Sequence, residues 1–296
     1  MNLSFPRNGK RAPAVAARPP APAAASAPVA QTDHVSIQAI GSGRPLVPIP
    51  GLASPRDVWS PFVAELARTH RVLLVQVNGF GGDDPRGNSG ENILPGVVED
   101  IRALLEREHA GQKAAIVGHS LGGVIGMMLA RDHPERVDRL LVGDAPPFFG
   151  SLFGPSATVE TMRPMFDNGR MIASGAGRAG EPSASDPSVA TMSRTPEGRL
   201  RVARWSRAAN PAVVGHALYE DATTDLRPDL AAIARVPTTV LYAVPPQIAD
   251  RAHALWAAEY APAPSIRLAP VENSMHFIML DQPDRFREEL RAFLSR

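Results

Sequence analysis

The chain of 296 residues contains no cysteine. Disulfides, thiolate metal sites and a cysteine nucleophile are therefore excluded. An excess of charge of one sign is also missing, since 31 basic and 30 acidic residues leave a formal net charge of +1. That balance gives no electrostatic ground for binding nucleic acid or an anionic membrane. Lysine is scarce, with Lys10 and Lys113 the sole examples, so arginine carries the positive charge. Beside so much alanine and proline this reads as coding bias, not as a functional patch. Long hydrophobic runs are lacking too, for none approaches the roughly 18 residues of a membrane span. Yet 44% of the chain is hydrophobic, enough to bury a sizeable core. The length suits one large α/β domain with an insertion, or two small domains.

Residues 1–33 have very few large apolar side chains and much Ala and Pro, and they are expected to be disordered because ordering them would bury little. Arg7, Lys10 and Arg11 resemble the basic start of a signal peptide, and Ala25-Ser26-Ala27 a cleavage site. The stretch between them fails as an apolar segment, because Arg18, Pro19 and Pro20 interrupt it. The expectation is a linker or degenerate leader, with a cytoplasmic location by default and export left open.

From residue 34 onward the pattern is that of an ordered chain. Residues 34–40, 45–50 and 72–77 read as strands, and the loop 78–85 comes after the third. Trp59, Phe62, Val63 and Leu66 fall on one helical face, as do Leu94, Val97, Val98, Ile101 and Leu105. Pro95 sits early in that second helix, where proline is tolerated. A strand ending at His119, another helix and a strand at 140–142 continue the alternation. Strands alternating with helices predict a mostly parallel sheet covered on both faces. The rhythm stops at 146. Up to 224 there is no strand-like run, and the stretch is read as a mainly helical insertion with a loop over 174–188. Strands are expected again at 238–244 and 265–271, with a helix over 248–260 between them. Phe286, Leu290, Phe293 and Leu294 mark the buried face of a terminal helix. The organisation read from this is a core of 34–145 and 225–296 with a helical cap of 146–224.

The stretch around which the chain is organised is Gly118-His119-Ser120-Leu121-Gly122. An apolar run leads into it and a helical pattern leaves it. A strand-turn-helix of this kind is sharp and strained, so the positions two either side of Ser120 must be small. It would hold the Ser120 hydroxyl clear of the sheet at the positive end of a helix, with the Leu121 N–H aimed where an oxyanion forms. A serine hydroxyl needs a base at hydrogen-bond range to act as a nucleophile. His276 is the candidate, because it lies in a loop after the last strand, beside the other strand ends. His119 should point into packing, His133 sits at a helix end, and His216 lies in the insertion.

With these residues in place the chain resembles the α/β-hydrolase superfamily, in particular its capped, esterase-like serine hydrolases. Four landmarks carry the likeness in sequence order: Pro50-Gly51-Leu52 followed by the Trp59 helix, the loop Asn78-Gly79-Phe80-Gly81-Gly82, the Ser120 turn, and His276 with Asp281-Gln282-Pro283 behind it. The resemblance implies a sheet of about eight strands, a cap over the catalytic ends, no metal and no organic cofactor. It also implies that the backbone N–H of Leu52 joins that of Leu121 as an oxyanion donor, although the family often has His-Gly where Pro50-Gly51 stands. The family usually carries its acid just after the strand that here is 238–244. No carboxylate stands there before Asp250. Some relatives, certain dehalogenases among them, place the acid at the end of the strand after the nucleophile unit, which here is Asp144. Adjacent strands are about 5 Å apart, so a carboxylate there can reach the same histidine. Asp144 is the preferred acid and Asp250 the alternative.

Asp83 and Asp84 are adjacent carboxylates in a Gly/Pro loop and read as turn residues, not as metal ligands. Phe148, Phe149, Met275 and Met279 either line an apolar pocket under the cap or pack the cap onto the core. The function expected is a carboxylic-ester hydrolase that acts on a small-molecule ester through an acyl-enzyme. A lactonase, amidase or C–C bond hydrolase would use the same residues, and perhydrolase side chemistry would need only peroxide in place of water. A receptor-like member with vestigial activity is the alternative from outside enzymology. Serine at position 120, not aspartate, argues against haloalkane dehalogenase and epoxide hydrolase chemistry.

Overall fold

The apolar runs read as strands do form one sheet in the computed structural model, which describes residues 29–175 and 181–295. In chain order the first elements are β1 (Ala30–Gln31), β2 (Val35–Ile40), β3 (Arg44–Ile49), α1 (Ser60–Leu66), β4 (His70–Val77) and α2 (Ile93–Glu108). Then come β5 (Ala114–His119), α3 (Leu121–Asp132), β6 (Val137–Gly143), α4 (Val159–Gly175), α5 (Pro196–Ala208), α6 (Pro211–Thr223) and α7 (Leu230–Ile233). The chain closes with β7 (Thr238–Val244), α8 (Ala249–Tyr260), β8 (Arg267–Glu272), α9 (Ile278–Asp281) and α10 (Pro283–Leu294).

The sheet has eight strands in the order β1-β2-β4-β3-β5-β6-β7-β8. β2 runs antiparallel to both β1 and β4, and the remaining pairs are parallel. This is the mostly parallel architecture expected from the sequence. Every residue of β5 and of β7 is buried, as a strand covered on both faces requires. β4 shows how the two faces are sorted. Leu73, Val75 and Val77 join one core, while Val72 and Leu74 join the other, in keeping with the two-residue period of a strand. The first core takes α2, α3 and α8; the second takes α1 and α10. Along α2, Ile93, Leu94, Val97, Val98, Ile101, Leu104 and Leu105 are buried. Each such side chain contributes roughly 1.5–3 kcal/mol relative to exposure. In α3 every residue from Leu121 to Ala130 is buried, so this helix is enclosed on all sides.

The parallel register sets the C-terminal ends of β3, β5, β6, β7 and β8 along one edge. Ile49 is opposite Gly118, His119 opposite Gly143, and Val244 opposite Glu272. Over that same part of the chain, 146–224 folds as α4, α5 and α6 with short turns at Phe149–Phe153 and Pro187–Val189. Its β pairing among the described residues is an isolated bridge from Phe148 to Asp225.

Two expectations change. Ala30 and Gln31, within the stretch expected to be disordered, pair with Ile37 and Ser36 as an edge strand. Backbone pairing needs no large side chain, and the Thr32 hydroxyl donates to Asp100 Oδ2 at 2.6 Å just beyond it. The rest of the expected disordered segment, 1–28, lies outside the described residues. Of the loop expected over 174–188, residues 174 and 175 close α4, while 176–180 lie outside the described residues.

Candidate active site

Ser120 stands between β5 and α3 with φ 53° and ψ −124°, a conformation that costs a non-glycine residue free energy and tends to occur where function needs it. Its surroundings explain both flanking glycines. A Cβ on Gly118 would lie 2.0 Å from the carbonyl oxygen of Gly122, and one on Gly122 would lie 2.3 Å from that of Ile49. The Ser120 N–H donates to Gly143 O at 2.8 Å and so ties the turn to β6. Gly51 passes close beside it: a Cβ there would be 3.1 Å from Ser120 Cβ. The next N–H, that of Leu52, makes no hydrogen bond among the described residues. Leu121 opens α3, so its N–H has no partner within the helix.

Asp144 comes directly after β6. Its φ is 53°, and its N–H donates to Leu241 O at 2.7 Å. One carboxylate oxygen, Oδ1, accepts the Ala243 N–H at 2.7 Å. The other, Oδ2, lies 2.7 Å from His276 Nδ1. With a carboxylate as partner, Nδ1 carries the proton and Nε2 is left as the acceptor. Asp250, the alternative acid, is exposed in the first turn of α8 and does not reach His276. No hydrogen bond joins Ser120 to His276 among the described residues. In unliganded sites that contact often tightens only around substrate.

The loop that carries His276 is held from three sides. His119 is fully buried, and burial next to His276 lowers its pKa to about 3. It is therefore neutral, and its Nε2–H donates to the His276 carbonyl at 2.9 Å. From the mainly helical stretch 146–224, Met192 O accepts the Phe277 N–H at 2.8 Å. Asp281 links the two, accepting the Met275 N–H at 2.8 Å on Oδ2 and the Ser193 hydroxyl at 2.6 Å on Oδ1. The sequence alone assigns His119 to packing and offers Asp281 only as part of the Asp281-Gln282-Pro283 landmark. The hydrogen-bonding types of both were visible, but their partners lie far along the chain.

Ser120, Asp144 and His276 line one cavity of about 630 Å³. Phe149 and Met275 line it as well. Phe148 does not. It is fully buried in a cluster with Ala157, Met162, Phe166 and Ala222, and the Arg227 guanidinium sits 4.4 Å over its ring. The ring packs in that cluster and not in the cavity lining, so the expectation of a pocket residue is corrected there. Met279 likewise packs in the core beside α10. Asp83 and Asp84 act on their own loop: Asp83 accepts the Gly79 N–H at 3.0 Å and Asp84 the Arg86 N–H at 2.8 Å. One wall residue was not anticipated. Asp221 of α6 is buried, lines the cavity, and has its pKa pushed up to about 7 by burial.

Comparison with known proteins places these features. The family described as alpha/beta hydrolase fold matches residues 44–283. The chain is 35% identical over 115 residues to a pimeloyl-[acyl-carrier protein] methyl ester esterase of Aeromonas hydrophila, which covers 39% of this chain and 43% of that protein. It is 32% identical over 103 residues to a cis-3-alkyl-4-alkyloxetan-2-one decarboxylase of Shewanella oneidensis, covering 34% of this chain and 32% of that one. The chain thus spans less than half the length of these curated relatives. Among solved structures, the enol-lactonase from Burkholderia xenovorans LB400 superposes with a TM-score of 0.70 at 17% identity, over 88% of this chain and 96% of that chain. At such identity the likeness is one of fold.

Proposed function

The chain belongs to the alpha/beta hydrolase fold family, and from that premise we propose that it is a carboxylic-ester hydrolase working through an acyl-enzyme on Ser120. The observation that carries the reading is the hydrogen bond of 2.7 Å between Asp144 and His276, in the cavity that Ser120 also lines.

The roles come from the chemistry of the groups. His276 Nε2 takes the proton of Ser120 Oγ as the oxygen attacks the carbonyl carbon. The charge that develops on the carbonyl oxygen is met by the N–H groups of Leu52 and Leu121. Losing one such donor typically costs about 3 kcal/mol of transition-state stabilisation. Asp144 fixes the tautomer and orientation of His276 and stabilises the imidazolium. His276 returns the proton to the leaving alcohol, and water, activated by the same imidazole, releases the acid. The substrate is a small-molecule ester. Lactones undergo the same acyl transfer with the leaving alcohol still attached.

A receptor-like member with vestigial activity would be favoured by a site without a carboxylate for His276, and none stands directly after Val244. The 2.7 Å hydrogen bond from Asp144, at the end of the neighbouring strand, supports the catalytic reading instead.

A stopped-flow experiment with p-nitrophenyl butyrate tests the proposal. A burst of about one equivalent of nitrophenolate per chain, lost in Ser120→Ala, is the expected result. Turnover that is the same in both proteins, or absent from both, sinks the esterase assignment.

A further inference from the structure

Two carboxylates among the described residues are buried, Glu289 and Asp221, and they differ in how they are satisfied. Glu289 is held by Arg267 and Arg285. The half-buried Asp144 is held by His276 and the Ala243 N–H. Asp221, at 5% exposure, has neither kind of partner, and its Oδ1 makes no hydrogen bond. It lies in the wall of the cavity that contains Ser120 and His276, whose lining also includes the apolar side chains of Val124, Phe149, Leu152 and Leu255. Arg251 lines the same cavity but is exposed, and no ion pair joins it to Asp221.

An unpaired buried carboxyl is costly to keep. Burial pushes its pKa up to about 7, and the nearby His276 offsets this only in part. A leucine or alanine in the cap helix would remove that cost. The cost is offset when the cavity is filled by something that donates a hydrogen bond to the carboxylate, which itself only accepts.

Resting on the serine-hydrolase reading above, we propose that Asp221 is a specificity-determining residue that accepts a hydrogen bond from a donor on the substrate, so that the preferred esters carry a hydroxyl or an ammonium group. A substrate without such a donor strips the carboxylate of solvent and leaves it unpaired, which is the situation in which a site discriminates most strongly.

Boronic acids test this without relying on turnover, because they add to the serine oxygen and hold their substituent in the cavity. Phenylboronic acid is compared by calorimetry with its hydroxymethyl and aminomethyl derivatives, meta and para, at a pH above that at which Asp221 ionises. Wild type, Ser120→Ala, Asp221→Asn and Asp221→Leu are each titrated. In wild type a donor-bearing boronate is expected to bind roughly ten- to hundredfold more tightly than the parent. In Asp221→Leu that ratio is expected to collapse to about one. Comparing ratios within each variant cancels any general change in the protein. A gain with both derivatives identifies a neutral donor as sufficient, and a gain with aminomethyl alone, lost in Asp221→Asn, identifies a cation. No gain in wild type, or a gain that survives in Asp221→Leu, overturns the inference. Parent boronate that binds Ser120→Ala as well as wild type defeats the serine-hydrolase reading instead, and this inference with it.

Discussion

His119, the residue just before Ser120, donates its Nε2–H to the backbone carbonyl of His276, 157 positions further along the chain, at 2.9 Å. The strand that presents the serine therefore also sets the height of the histidine loop. His119→Phe keeps the bulk and removes the donor. Misplacing a reacting group by about 1 Å costs on the order of 100-fold, so kcat for p-nitrophenyl butyrate is expected to fall by up to that factor with little change in KM. A variant with unaltered kcat would show that the loop holds its position without this bond.

The same histidine bears on acid stability. Its pKa is lowered by burial to about 3, below that of an unfolded histidine at about 6.5. Between those values the unfolded chain binds more protons than the folded one, so stability is complete above the upper value and declines as pH falls toward the lower. Urea unfolding of His119→Phe across this range is expected to show a shallower acid slope than wild type.

Asp144→Asn leaves the shape of the site and reverses the demand on the His276 tautomer. A loss in kcat of roughly a thousandfold or more is expected. Asp250→Asn, on the exposed first turn of α8, is expected to stay within about twofold of wild type, as surface changes usually do. Steady-state kinetics of the two variants side by side decide between them, and the reverse order would make Asp250 the acid.

Asp221 has the opposite linkage to His119. Its pKa is raised by burial to about 7, so the folded chain binds the extra proton and stability falls as pH rises from about 4 to 7. Asp221→Asn removes that loss. Unfolding is expected to become harder by on the order of 2 kcal/mol at slightly alkaline pH, with the gain shrinking toward pH 4. A gain that does not depend on pH would show that charge is not its origin.

Phe148 and Phe149 are adjacent and do different things. Phe148 fills the buried cluster it shares with Ala157, Met162, Phe166 and Ala222, so Phe148→Ala is expected to cost roughly 3–5 kcal/mol in denaturant unfolding. Phe149 faces the cavity, so Phe149→Ala is expected to act chiefly on KM, with a larger effect on long acyl chains than on acetate. Phe149 also packs on the Phe148 cluster, its ring centroid 5.6 Å from that of Phe166, so a smaller loss of stability than in Phe148→Ala is expected beside the KM effect, and equal losses would refute this division of roles.

Much of the molecule was legible without coordinates, wherever one side chain's chemistry and its spacing decide the outcome. Periodicity identified the buried strand Thr238–Val244 to the residue and the α2 face from Leu94 to Leu105. Glycines two either side of Ser120 pointed to a turn that no larger residue fits. The late histidine stood out because it comes after the last strand of an alternating chain. The absence of cysteine removed whole classes of chemistry.

Other features are decided only in three dimensions, because they depend on which chain segments come together. The sequence left Asp144 and Asp250 as alternatives. The hydrogen bond forms at Asp144 because β6 lies between β5 and β7, which brings its end beside the histidine loop. That Phe148 packs with Met162 and Ala222 while Phe149 lines the cavity depends on distant partners, which no local pattern announces. The short strand at Ala30 needs only backbone pairing with β2, and composition does not record that. The roles of His119, Asp281 and Asp221 rest on partners, or on the lack of one, in distant segments. A sequence shows that a carboxylate is present, but only packing determines whether it meets a proton donor, an arginine or an empty cavity.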